Sequence, residues 1–86
     1  MIKYVYAAKN VKSGNFNAPQ LNDIPEDNAA ENFEISFKET PRSQKELMKE
    51  LDIYYLGTFD TKTGIYSTKD PVFIISGASV LGDADE

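Results

Sequence analysis

Three lysines near the start of the chain, Lys3, Lys9 and Lys12, are interleaved with Tyr4, Tyr6 and Phe16, and no acidic residue falls within the first twenty positions. Ammonium groups neutralise phosphates and aromatic faces stack on unpaired bases, so this mixture suits a single-stranded nucleic acid. A second basic set, Arg42, Lys45 and Lys49, is spaced i, i+3, i+7 and would share one helical face. Glu46 and Glu50 lie among these residues, so a solvated face of mixed charge competes with a DNA-binding stripe there. Tyr4, Tyr6, Tyr54, Tyr55, Phe59, Tyr66 and Phe73 also have a plainer role open to them, as core residues or cross-strand pairs.

Other chemistries lack their residues. The chain has no histidine and no cysteine, which removes the commonest general base, the commonest zinc ligand and any thiolate. There is no phosphate-binding or dinucleotide-type glycine motif, and the acidic pairs Glu46 and Glu50, Asp83 and Asp85 lack the spacing of a calcium loop. The sequence therefore predicts no enzyme, no metal and no cofactor. No apolar stretch approaches the roughly 18–20 residues that span a bilayer, so no membrane association is expected, and the absence of cysteine fits a reducing cytosol.

Charge sets a limit on DNA binding. The net charge is −5, and an acidic protein repels a polyanion at long range. The charges are segregated along the chain, however, with six basic and all fourteen acidic side chains beyond residue 20. Because the Debye length is about 8 Å at physiological salt, a local basic patch can act while distant acids are screened.

Residues 2–9 alternate Ile2, Tyr4 and Tyr6 against Lys3, Val5 and Ala7, the period of a strand. Asn10, Gly14, Asn15, Asn17, Pro19, Asn22, Asp23 and Pro25 then predict a long irregular connection over 10–27. Asn28 as N-cap, with Glu31 three positions on, opens a predicted helix whose inner face is Ala29, Ala30, Phe33 and Phe37 and which Thr40-Pro41 ends. Ser43 to Glu46 repeats the capping pattern ahead of a second short helix through Glu50, with Leu47, Met48 and Leu51 on its buried side. Asp52 to Phe59 reads as a strand, followed by the turn Asp60-Thr-Lys-Thr-Gly64, in which Asp60 bonds the backbone and Gly64 takes the left-handed conformation. A short strand from Ile65 to Ser67, a break at Asp70-Pro71 and a last strand from Val72 to Ile75 complete the set. This pattern predicts an α+β fold: a small, mainly antiparallel sheet of about four strands with two short helices on one face. Residues 1–81 would form one domain and residues 82–86 an acidic, frayed tail able to compete with DNA for the basic patch.

Two stretches, Ile2 to Pro19 and Glu50 to Gly64, resemble the small nonstructural protein of gokushovirus-type microviruses, tailless phages with circular single-stranded DNA; residues 20–45 depart from that pattern. The resemblance implies a protein of the host bacterial cytoplasm that binds DNA during single-strand synthesis or genome packaging, and it offers no catalytic residues. The expected function is thus non-catalytic binding of single-stranded DNA by Lys3, Tyr4, Tyr6, Lys9, Lys12 and Phe16, with Arg42, Lys45 and Lys49 as the second basic set. The alternative is an adaptor that contacts the replication protein or the procapsid without touching DNA. A homodimer is also expected, because Val72-Phe-Ile-Ile75 carries no charge and would either be central in the sheet or meet a partner at its edge.

Overall fold

A computed structural model describes residues 1–82. In chain order the elements are β1 (Ile2–Asn10), β2 (Gln20–Asn22), α1 (Glu26–Lys38), a 3-10 turn (Arg42–Gln44), α2 (Lys45–Met48), β3 (Leu51–Asp60), β4 (Tyr66–Ser76) and α3 (Gly77–Leu81). The strands form one antiparallel sheet in the order β2-β1-β3-β4. The α+β class and the count of four strands agree with the sequence, but the strands are partly different ones and the helices number three among the described residues.

Strand alternation decides what is inside. Tyr4, Tyr6 and Ala8 of β1, Ile53 and Tyr55 of β3, and Val72 and Ile74 of β4 pack with Ala29, Phe33 and Phe37 of α1, Met48 of α2 and Leu81 of α3. All helices therefore lie on one face, and the opposite face has no helix over it. In α1 the residues Ala29, Phe33 and Phe37 recur every four positions and make one inward stripe. Glu26 and Asp27 occupy its first turn and Lys38 its last, in the sense that the helix dipole favours.

Several expectations are corrected. Helix α1 begins two residues before Asn28, with Pro25 in the cap position; the Asn28 amide already donates to the Pro25 carbonyl, and Ala30 is exposed. The second helix is a 3-10 turn plus a single α-turn, so Arg42, Lys45 and Lys49 do not share one helix; Leu47 is exposed and Leu51 opens β3. Asp70-Pro71 does not break the last strand. The register jumps from Gly57↔Thr68 to Tyr55↔Val72, so Lys69, Asp70 and Pro71 bulge opposite Leu56. Proline has no amide to give to a ladder, and an edge strand with a bulge there loses nothing by holding it.

The connection over 10–27 is more ordered than its composition predicts. The Asn10 side chain accepts from the amides of Lys12 and Ser13, and Gly14 turns the chain back at φ 76°. Phe16 then bridges Lys9, and Gln20–Asn22 pairs with Tyr4–Tyr6 as β2. Helix α3, absent from the sequence expectations, is capped by the Ser76 hydroxyl, which accepts from the Ser79 amide. The strand proposed as either central or partnered belongs to β4, which is an edge strand, and its middle carries Lys69 and Asp70. In the expected acidic tail, residues 83–86 lie outside the described residues.

Candidate nucleic-acid interface

The alternation that builds the core also sorts the predicted DNA-binding residues. Because neighbours along a strand face opposite ways, Tyr4 and Tyr6 point to the helices, whereas Lys3 and Lys9 belong to the uncovered face. Tyr6 is only 4% exposed, and its hydroxyl donates to the Ile24 carbonyl at 2.6 Å. Its pKa is pushed up from 10.0 to about 12, chiefly by burial and then by Tyr55, Glu26 and Tyr4. Tyr6 rests edge-on against Phe33 and tilted against Tyr55, so it is a core residue with no face left for a base. Tyr4 is half-buried against the same cluster.

Two of the three lysines are neutralised by acids from later in the chain. Lys3 pairs with Asp23 at the end of β2, and Lys12 pairs with Glu50 at 2.9 Å. The Lys12 bond to Glu50 raises the ammonium pKa and holds the Glu50 carboxyl below its ordinary value. The charge segregation seen along the sequence is thus undone by folding. In the second basic set Lys49 bonds Glu46 at 3.2 Å, as the mixed-charge reading expected, while Arg42 is exposed and Lys45 half-buried in the helical layer.

Lys9 and Phe16 are the two predicted residues that come together. Their backbones bridge, and the Lys9 ammonium lies 5.6 Å from the Phe16 ring centroid and 5.8 Å from that of Tyr54, within cation–π range. Among the described residues Lys9 has no ion pair, although Asp52 stands opposite it in the β1–β3 register. The row continues across the sheet. Phe16 meets Tyr54 edge-on at 5.3 Å, and Tyr54 meets Phe73 edge-on at 5.8 Å, on the register line Ala7↔Tyr54↔Phe73. Phe16 is 42% and Phe73 53% exposed.

The result is a cation set against two rings of a three-ring row, on a sheet face that no helix covers. Such a surface can stack bases and hold one phosphate. Sequence reasoning placed Tyr54 and Phe73 only among core or cross-strand pairs. A signal was present for the first: in a strand, adjacent residues Tyr54 and Tyr55 must face opposite sides, so one tyrosine had to reach the open face. No such local signal marks Phe73, whose place depends on β4 pairing with β3.

Among the described residues no three His, Cys, Asp or Glu gather as a metal site, and no helix is long and apolar enough to cross a membrane. The family model described as Phage ORF5 protein matches residues 3–80. No curated protein and no solved structure matches the chain.

Proposed function

This chain belongs to the Phage ORF5 protein family, and from that premise we propose that it binds single-stranded DNA on the open face of its sheet, without catalysis. Bases stack on Phe16, Tyr54 and Phe73 while Lys9 meets a phosphate. The observation that carries this reading is the row Lys9, Phe16, Tyr54 and Phe73 on the uncovered face, in which Lys9 and Tyr54 are half-buried and Phe16 and Phe73 exposed. Flat aromatic surface stacks on any base, so the binding is tolerant of sequence, as coating a genome strand requires. The resemblance of Ile2 to Pro19 and Glu50 to Gly64 to the gokushovirus protein supports a microvirus setting, where the strand is the phage genome during single-strand synthesis or packaging in the host cytoplasm.

The adaptor reading draws on one observation of its own: the net charge is −5, and Lys3 and Lys12 are already neutralised. Anisotropy of a labelled oligothymidine separates the two. Direct binding requires a saturable titration, and Phe73→Ala should weaken it by about 1–3 kcal/mol, the worth of one stacked base. A folded wild-type protein that leaves the oligonucleotide tumbling freely at tens of micromolar would remove DNA binding and leave the adaptor role.

A further inference from the structure

We infer that the open face carries a second stacking station, Phe59 and Tyr66, and that one DNA strand spans both stations across a low rung between them; this rests on the DNA-binding reading above. Register places three rungs on this face. The first is Ala7↔Tyr54↔Phe73, extended by Phe16; the second is Val5↔Gly57↔Thr68; the third is Lys3↔Phe59↔Tyr66. The third rung is aromatic like the first. Phe59 and Tyr66 lie 4.6 Å apart between centroids, and Tyr66 is 57% exposed.

The middle rung is built differently. It has no ring, and Gly57 has no side chain at all. Around it lies a depression of about 190 Å³ lined by Val5, Pro19, Leu56, Gly57, Tyr66 and Thr68, among others. Residue 57 is held to glycine by its neighbours, because a Cβ there would stand 2.1 Å from the Ser67 carbonyl oxygen and φ is 137°. The face is therefore two aromatic shelves with an apolar trough between them.

From Ala7 to Lys3 is four residues of β1, about 13 Å at the strand rise. Stacked nucleotides rise about 3.4 Å each, so about four steps separate the stations, fewer where the strand stretches over the trough. A dinucleotide can therefore occupy one station only, whereas a hexanucleotide reaches both. The occupant is a nucleic acid strand because Lys9 beside the first shelf supplies a counter-charge to a phosphate, and stacking at both ends accepts any base.

The test is a length series, dT2, dT4, dT6 and dT8, titrated into the protein with backbone amide chemical shifts as the readout. Wild type should gain affinity steeply between dT2 and dT6. Tyr66→Ala should lose roughly 5- to 150-fold on dT6, the range for one stacked base, and no more than about twofold on dT2, which can use the first station instead. Tyr66→Leu, which keeps an apolar strand residue, should behave as Tyr66→Ala and guards against misfolding. Tyr66 variants that match wild type at every length, or that weaken dT2 as much as dT6, would overturn the second station while leaving the first intact. If wild type binds none of the series, the DNA-binding reading itself falls.

Discussion

Replacing Lys9 by glutamine separates the folded arrangement from the one that composition suggests. In the sequence Lys3, Lys9 and Lys12 are equivalent; in the structure Lys3 and Lys12 hold Asp23 and Glu50, and of these three Lys9 alone makes no ion pair with the described residues. On single strands each phosphate contact contributes about 0.7 to the slope of log affinity against log salt. Between 50 and 200 mM salt, a fourfold change, one contact costs about 2.6-fold in affinity and three contacts about 18-fold. Lys9→Gln should therefore remove a factor of about 2.6 from the salt sensitivity, and Lys3→Gln and Lys12→Gln should leave the slope as it is. The assay is anisotropy of labelled dT6 at three salt concentrations, with circular dichroism as the control for folding. An 18-fold salt loss in wild type that Lys3→Gln and Lys12→Gln each flatten would refute the reasoning, because the two lysines would then exchange their carboxylates for phosphates.

Asp52 faces Lys9 across β1 and β3, so Asp52→Asn should tighten dT6 at low salt by up to about fivefold, the effect of ~1 kcal/mol of charge repulsion in water; an unchanged or weaker affinity counts against Lys9 as the phosphate contact. Gly57→Ala should destabilise the fold by more than the roughly 1–3 kcal/mol of backbone strain, since its Cβ also meets the Ser67 carbonyl oxygen. Gly64→Ala, at φ 75° in open space, should cost only about 1–2 kcal/mol, and urea denaturation ranks the two. The raised Tyr6 pKa means that the unfolded chain ionises first, near pH 10, while the folded chain resists to about 12. Stability is therefore whole below pH 10 and falls by up to about 2.7 kcal/mol as pH rises to 12 and beyond. Tyr6→Phe should lose the Tyr6 part of that decline and keep the part due to Tyr55, whose hydroxyl burial also pushes up in pKa, at a cost of about 1 kcal/mol for the lost bond to Ile24.

Features set by neighbours in sequence could be read in advance. The alternation of β1 and the turn from Asp60 to Gly64 are local; in the structure Asp60 accepts from the Lys62 amide and Gly64 donates to the Asp60 carbonyl, as that turn chemistry requires. What depends on distant partners was hidden. Gln20-Leu-Asn22 has no pattern of its own and becomes β2 only because Tyr4–Tyr6 offers an edge. Pro71 reads as a strand breaker until its strand is known to be at the sheet's edge, opposite a bulge in register. Helix α3 owes its place to Gly77, which lies so close to the Met48 carbonyl that no side chain would fit. That contact spans almost thirty residues and leaves no trace in the local sequence.

The site carries a sharper lesson in what interleaving means. In a strand, a cation and an aromatic that alternate in sequence are sent to opposite faces; Lys3 and Lys9 go to one side of β1, Tyr4 and Tyr6 to the other. A mixed cationic and aromatic surface must therefore draw its rings from elsewhere, and Lys9 draws them from Phe16 beyond the turn and from Tyr54 on the next strand. The same topology supplies carboxylates to Lys3 and Lys12 and so leaves the open face with little net attraction for a polyanion. On a chain of charge −5, the proposed affinity for a single strand then has to come from stacking, a short-range and salt-tolerant force. Long-range steering is given up in exchange: paired DNA, whose bases offer no free faces, gains nothing from the rings and still meets the repulsion. On the proposed function, duplex DNA should therefore bind more weakly than a single strand, without any base-specific contact.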